Sequence, residues 1–455
     1  MNRTLSEVAK WTNGTLQKGI NGHDLVGSVE IDSRKVEQGS LFVPLVGEHA
    51  DGHQFVEKAL SKGASASFWK RGTPNAPKSK PLIFVEDPLK ALQQLAKTYR
   101  ETLSARVVGI TGSNGKTTTK DMVSHLLQPC GKVHKTAGNY NNHIGLPLTL
   151  LRAPEDADWL VVEMGMNRAG EISLLTTIAQ PDVAIITNIG EAHIEYFGSR
   201  EGIAQAKWEI TEGVSQQGLV LLDGDEPLLN TLAAQHPSPH IETVGFGEKC
   251  DWRVSGIEAE QSTTSFRIDR LGSGFSMPVL GSHNVKNALF ALATAIYAGV
   301  DESQIAEQLP SMQLSGMRME TVTGAKGETY INDAYNASPT SMNAVVNWFQ
   351  NEAHFKRKIA VIGGMLELGE RSEWYHAEVG SRLDASKLDY VFLFGKEALP
   401  IYEAAQENFP KERLFHTESM EALQQFVENV GATAETGILL KGSRGMRLER
   451  VLPGR

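Results

Sequence analysis

Cysteine is nearly missing from this chain: 455 residues hold only Cys130 and Cys250, far apart and without the spacing of metal ligands. That scarcity leaves no disulfide framework or zinc site to build and suits a reducing compartment. Long hydrophobic runs are missing too. No apolar stretch approaches the roughly 18 residues of a membrane helix, and Met1 to Glu7 carry no signal-type segment, so a cytoplasmic protein without a membrane span is expected. An excess of positive charge is the third absence. Lys and Arg number 44 against 54 Asp and Glu, a net charge of −10, which argues against broad binding to nucleic acid or anionic lipid. Any anionic ligand must be met by a local pocket.

What is present is apolar content of 41 %, enough for two or three cores in a chain too long for one. Short strand-like runs alternate with helical stretches: Leu82 to Val85, Val107 to Ile110, Trp159 to Val162, Val183 to Ile186 and Leu219 to Leu222. A second series follows Pro310, at Thr329 to Ile331, Ile359 to Ile362, Tyr390 to Phe394 and Gly437 to Leu440. This alternation predicts an α/β protein with mostly parallel sheets. Between the series, Cys250 to Val279 alternate polar and apolar residues and contain Gly272-Ser273-Gly274, which predicts an antiparallel hairpin appended to the central unit. The expected division is 1–84, 85–314 and 315–455.

The most informative segment is Thr111-Gly112-Ser113-Asn114-Gly115-Lys116-Thr117-Thr118, which follows the apolar run Arg106 to Ile110 and opens a helical stretch. A strand delivering a glycine turn into a helix aims backbone N–H groups at an anion, Lys116 adds a mobile cation, and the Thr117 hydroxyl can ligate Mg²⁺. ATP or GTP is therefore the first candidate ligand. The longer P-loop pattern places a glycine where Ile110 stands, so the match is to the shorter G-x-x-G-K-T-T core.

Ligand crevices in open α/β sheets lie beyond the carboxyl ends of the strands, and other distinctive residues fall there. Glu163 can serve Mg²⁺, or be a solvated strand-end acid. His193, in Gly190-Glu191-Ala192-His193, reads either as a ligand or as a hydrogen-bonded loop histidine, because Mg²⁺ seldom takes imidazole. Lys207 reads as an exposed helix lysine. In Gly281-Ser282-His283-Asn284-Val285-Lys286-Asn287, Ser282 or Asn284 can cap the helix whose buried face is Val285, Leu289, Leu292 and Ile296, while Asn284 and Asn287 also suit the edge of an adenine ring. Asp333 and Tyr335 offer a ribose carboxylate and a stacking ring, or simply a turn, and Arg318 can neutralise phosphate. Lys441-Gly442-Ser443-Arg444 is a short cationic segment able to clamp a carboxylate.

Taken in order, the Gly112 to Thr118 turn, the Glu163 strand end, Gly190 to His193, Gly281 to Asn287 and Asp333 to Pro339 resemble the Mur ligase superfamily over nearly the whole chain. The resemblance implies an N-terminal uridine-nucleotide domain, a central ATPase domain and a Rossmann-like C-terminal domain. It further implies amide-bond formation on a muramoyl peptide at the cost of ATP. Asn139 to Pro147, Tyr335 to Pro339, Gly364 to Gly369 and Lys441 to Arg444 are similar to the group that adds D-alanyl-D-alanine to UDP-N-acetylmuramoyl-tripeptide. Diaminopimelate- and lysine-adding relatives usually carry Tyr-Ala-His where this chain has Tyr335-Asn336-Ala337, and no Asp-Asn-Pro-Arg segment occurs. Another Mur-type ligase, a folylpolyglutamate synthase and a nucleotide-binding regulatory subunit are the alternatives.

By resemblance, Lys116, Glu163, His193, Lys207 and Arg318 carry catalysis, and Thr117, Glu163, His193 and Lys207 hold what should be two Mg²⁺ ions. Lys207 is implied to bear a carbamate. Gly112, Ser113, Asn114, Gly115, Lys116, Thr117, Thr118, Asn284, Asn287, Arg318, Asp333 and Tyr335 are expected around ATP. Ser33, Arg34, Asn139, Asn142, Asn336, Lys441, Ser443 and Arg444 are expected around the other substrates, with Arg34 able to meet a diphosphate. A monomer is expected.

Overall fold

A computed structural model describes residues 1–47, 50–236, 240–260 and 263–454. Three sheets follow one another along the chain. The first has five strands in the order Thr15–Leu16, Leu82–Val85, Ala66–Lys70, Ser40–Phe42, Ser28–Glu30, all parallel except the first. Because Leu82–Val85 pairs with Ala66–Lys70 as far as Val85, the expected boundary at 84/85 falls inside a strand.

The second sheet has nine strands, ordered Gly274–Met277, Thr263–Ile268, Trp252–Glu260, Ile241–Gly245, Leu219–Asp223, Val183–Ile186, Arg106–Thr111, Trp159–Glu163, Val133–Lys135. From Trp252–Glu260 to Val133–Lys135 every pairing is parallel. Between their ends its central strands are apolar and buried, as they must be with helices on both faces. The third sheet runs Glu320–Thr323, Thr329–Asp333, Thr436–Lys441, Arg357–Gly363, Tyr390–Phe394, Leu414–Thr417, parallel but for its first strand. The expected 314/315 boundary lies in the connection before Glu320.

The segment 250–279 differs from the expected hairpin. It forms three strands that extend the central sheet, residues 261–262 lying outside the described residues. The period-two alternation does not stop at Gly272 to Gly274: Thr264, Phe266, Ile268, Phe275 and Met277 are all buried, and the Phe266 and Phe275 rings lie 5.8 Å apart. A third strand is needed to cover that face.

The helix Ser282–Ala298 packs its apolar residues against the helix Lys116–Leu126, so Asn287 arrives beside the glycine turn. Its N-cap is Gly281, without a side-chain cap hydrogen bond. The capping readings of Ser282 and Asn284 therefore fail, because Asn284 lies inside the helix and its amide donates backward to the Leu280 carbonyl at 2.7 Å. No described helix is long and apolar enough to cross a membrane.

Candidate active site

The strand Arg106–Thr111 ends where the chain must turn into the helix Lys116–Leu126, and two glycines make that turn. Gly112 has φ +150°, and a Cβ there would lie 1.8 Å from Thr187 Oγ1; Gly115 has φ +82°, and a Cβ would lie 2.5 Å from Asn287 Oδ1. Both positions need glycine for conformation and for space. The turn is held from the neighbouring strand end: the Asn114 N–H donates to Asn188 Oδ1 at 2.9 Å, Asn188 Nδ2 donates to the Asn114 carbonyl at 3.0 Å, and Thr187 Oγ1 donates to the same carbonyl at 2.5 Å. The first N–H groups of the helix are left facing the turn, a ready cradle for phosphate.

Lys116 Nζ donates to the Gly112 carbonyl at 2.6 Å. Burial, with Arg318 nearby and only partly countered by Glu163, pushes its amine down to about 8. Lys207 is not the exposed helix lysine its neighbours suggest. It is 3 % exposed, and burial plus the Lys116 charge holds it well below the ordinary lysine range. Its ammonium makes no hydrogen bond or ion pair among the described residues.

Nor is Glu163 a solvated strand-end acid. It is 1 % exposed, its N–H donates to Thr136 Oγ1 at 3.0 Å, and its Oε2 accepts from Asn141 at 3.5 Å. Oε1 is buried with no hydrogen bond among the described residues, 3.5 Å from Lys120 Nζ. His193 sits at φ +65° with Nδ1 2.6 Å from Glu367 Oε2, though off the hydrogen-bond axis. Burial, then Lys116 and Lys207, lower its pKa to about 4, so the imidazole is neutral near pH 7 and keeps a lone pair. Thr117 Oγ1 accepts from Arg318 Nη2 at 2.8 Å.

Thr117, Glu163, His193 and Lys207 all line one cavity of about 620 Å³ between the ends of the second and third sheets. The two oxygen donors suit Mg²⁺, a buried Glu163 oxygen without a hydrogen bond among the described residues and the Thr117 hydroxyl, while the neutral His193 imidazole adds a softer nitrogen donor beside them. Among the described residues no three His, Cys, Asp or Glu form a metal-sized cluster.

The third sheet supplies the opposite wall. The Arg318 guanidinium lies 4.2 Å over the Tyr335 ring. Asp333 accepts from the Met319 N–H at 3.1 Å and from Lys441 Nζ at 2.6 Å, and Lys441 also reaches the Asn336 carbonyl at 2.9 Å. Asn284 and Asn287 line the cavity, joined by a 3.2 Å amide hydrogen bond. Ser113, Asn114, Thr118, Asn139, Asn142, Asn336 and Lys441 line it too.

Four expected substrate residues stand elsewhere. Arg34, 83 % exposed at its side chain, pairs with Asp32 on the first sheet's side, beside buried Ser33. Ser443 Oγ accepts from the Leu366 N–H at 3.0 Å, and Arg444 pairs with Glu449 at 2.5 Å. None of the four lines the cavity.

Sequence reasoning missed several groups that build this site. Lys120 and Asp121 are buried on the helix behind the glycine turn, where Asp121 also accepts from Lys135 at 2.7 Å and from the Ser315 hydroxyl at 2.6 Å. Glu191 accepts from the Thr340 hydroxyl at 2.6 Å, and Asn114 donates to Ser338 at 3.1 Å, both across the cleft. Two adjacent charges on a helix otherwise buried were the available signal.

Comparison with known proteins agrees with this geometry. Family profiles match consecutive segments: "Mur ligase family, catalytic domain" at 26–100, "Mur ligase middle domain" at 110–295 and "Mur ligase, glutamate ligase domain" at 317–444. The UDP-N-acetylmuramoyl-tripeptide–D-alanyl-D-alanine ligase of Bacillus subtilis is 45 % identical over 452 residues, covering 99 % of this chain and 97 % of that one. The chain belongs to the Mur ligase family. Among solved Mur ligases, MurF from Acinetobacter baumannii superposes with a TM-score of 0.90 at 30 % identity, covering 99 % of this chain and 98 % of that one. MurF ligase from Thermotoga maritima, solved in complex with ADP, has a TM-score of 0.82 at 31 % identity, covering 93 % and 96 %.

Proposed function

We infer that this chain is an ATP-dependent ligase that joins D-alanyl-D-alanine to UDP-N-acetylmuramoyl-tripeptide in the making of peptidoglycan precursors. One observation carries the reading: the glycine cradle and the Arg318, Tyr335, Asp333 wall share a single cavity in a chain related over its full length to ligases of that name. Two relatives of the alternative kinds, a diaminopimelate ligase at 17 % identity and a folylpolyglutamate synthase at 19 %, share the fold alone. A regulatory subunit would have no need of Lys116, Glu163, His193 and Lys207 gathered on one wall.

A free carboxylate resists attack by an amine. The γ-phosphoryl group of ATP therefore passes to the terminal carboxylate of the tripeptide, breaking the bond to the ADP oxygen and making an acyl phosphate. The dipeptide amine then attacks the carbonyl carbon, loses its proton, and phosphate leaves as the amide forms. The protein's part is positioning and charge neutralisation. The N–H groups of Gly112 to Thr118 cradle the phosphates, while Lys116 follows the negative charge as it moves. Arg318 turns from Thr117 to the triphosphate, and Asn284, Asn287, Asp333 and Tyr335 hold the nucleoside.

Thr117, Glu163 and His193 would hold Mg²⁺, whose bound charge would offset the repulsion between phosphate oxygens. Addition of CO₂ to the Lys207 amine, with loss of a proton, would turn a buried base into an oxygen donor for a second ion. Ser33 and Arg34 are assigned to the uridine diphosphate, and Asn139, Asn142, Asn336, Lys441, Ser443 and Arg444 to the peptide substrates. We place three domains, the first boundary moved from 84/85 to just after Val85 so that the strand stays whole and the second kept at 314/315, and the protein as a cytoplasmic monomer.

The test is ADP release from purified protein with each amine acceptor in turn, with the product identified by mass. Release that requires both UDP-N-acetylmuramoyl-tripeptide and D-alanyl-D-alanine is expected. No ADP under those conditions would end the assignment.

A further inference from the structure

The loop after Arg357–Gly363 is built with more care than a connection needs. Leu366 and Glu367 leave the third sheet towards the second, and their backbone is fixed from three directions. The Met365 N–H donates to Nε2 of fully buried His376 at 2.8 Å, and His376 Nδ1 donates in turn to the Ser372 carbonyl at 2.7 Å. The Leu366 N–H donates to Ser443 Oγ at 3.0 Å, and the Ser443 N–H returns to the Gly364 carbonyl at 3.1 Å. At the far end Gly369 packs on Glu195, two residues beyond His193.

These bonds hold Glu367 at φ +64°, a conformation that side chains other than glycine rarely adopt. Its carboxylate reaches across the cleft to 2.6 Å from Nδ1 of His193, itself at φ +65°. Two strained residues from different sheets thus meet at one contact. Strain of this kind persists only where the surroundings over-determine it, and it gathers at functional sites. Ser443, assigned above to the peptide substrates, also holds this loop.

We propose that Glu367 is a positioning residue for His193: its carboxylate stands 2.6 Å from Nδ1, off the hydrogen-bond axis in this arrangement, and a turn of the ring on metal binding lets it take the Nδ1–H, fixing the tautomer so that the Nε2 lone pair faces the cavity only when the two sheets are seated together. An imidazole has one proton for two nitrogens, so a carboxylate at Nδ1 leaves Nε2 as the acceptor. Because the carboxylate belongs to the other sheet, assembly of the His193 environment depends on closure of the cleft. The inference rests on the placement of His193 in the metal shell given above.

The test uses full-length Glu367→Gly, which removes the carboxylate and relieves the backbone, and Glu367→Gln, which keeps an acceptor of the same length. Binding of Mn²⁺ with ADP, read by electron paramagnetic resonance without turnover, should weaken about 10-fold to 100-fold in Glu367→Gly, as outer partners of metal-bound histidines do. Glu367→Gln should stay within about 5-fold of wild type on the same basis. ADP release should follow the same order, with kcat falling more than KM for ATP rises. Wild-type Mn²⁺ affinity and turnover in Glu367→Gly, with His193→Ala impaired in both, would overturn the role of Glu367 alone. Unimpaired His193→Ala would overturn the underlying reading as well. Equal losses in Glu367→Gly and Glu367→Gln would show that hydrogen-bond acceptance at Nδ1 is not what the loop supplies.

Discussion

Replacing Lys120 with methionine tests whether the buried charges behind the glycine turn hold the central sheet together. Lys120 Nζ lies 3.4 Å from Asp121 and 3.5 Å from Glu163 and donates to the Thr136 carbonyl at 3.1 Å; the three side chains are 3 %, 1 % and 2 % exposed. Methionine fills nearly the same volume, so the change is electrostatic: two buried carboxylates share one cation fewer. Removing one partner of a buried pair costs about 3–5 kcal/mol. The lower end applies, because Lys135 and Ser315 still meet Asp121 at 2.7 and 2.6 Å. About 3 kcal/mol in a unit of this size lowers Tm by about 6–12 °C, which scanning calorimetry at neutral pH resolves. The double variant Lys120→Met with Asp121→Asn removes one of the stranded charges and should recover part of the loss. A Tm within about 2 °C of wild type for Lys120→Met would refute the reasoning, since it would mean water already screens the pair.

Gly112→Ala should raise KM for ATP and lower kcat/KM on the order of 100-fold, since its Cβ would displace the Thr187 hydroxyl that holds the Asn114 carbonyl; unchanged ATP kinetics would show the turn is not the phosphate cradle. Lys116, depressed to about 8, regains its proton beside a triphosphate. Nucleotide binding at pH 8 should therefore take up to about half a proton, affinity should fall as pH rises through 8, and calorimetry in two buffers of different ionisation enthalpy reads the uptake. No buffer dependence would count against Lys116 as the phosphate cation. Lys207→Ala should bring turnover below about 1 % of wild type without unfolding the protein and should abolish a ¹³C carbamate resonance grown from labelled bicarbonate; wild-type turnover removes the carbamate from the mechanism. Arg318→Ala should lower kcat by about 10-fold to 100-fold and move Tm little, and a wild-type rate would refute its role.

Strand positions and the phosphate turn were legible because both are local. Val107 to Ile110 and Tyr390 to Phe394 announce buried parallel strands by composition, and Gly112 to Thr118 announce an anion by spacing. The environment of single residues was not legible. Nothing near Lys207 in sequence separates an exposed helix lysine from a buried amine, since the groups that bury it come from other elements. That one oxygen of Asp333 is taken by Lys441 could not be read from the sequence either, because Lys441 lies 108 residues on. Asn284 reads as a cap because capping is judged from neighbours, whereas the start of its helix is set by Gly281. Ser443 is the same case: its partner Leu366 is fixed by tertiary structure alone.

The electrostatics of the cleft then follow from one imbalance. Half-buried Lys116 and Arg318 share a wall with buried Lys207 and Glu163, and the shifts of Lys116, Lys207 and His193 record the conflict: Lys116 depresses Lys207, Arg318 depresses Lys116, and both lysines depress His193. Solvent cannot relieve it, because burial is the largest cause of each shift. A polyanion can, and the preorganised cations then act on it without further reorganisation. The same burial sets Lys207 apart from the surface lysines and makes it the amine proposed above to take up CO₂. One surplus of basic groups in the cleft would thus account for both the triphosphate cradle and the Lys207 chemistry proposed above.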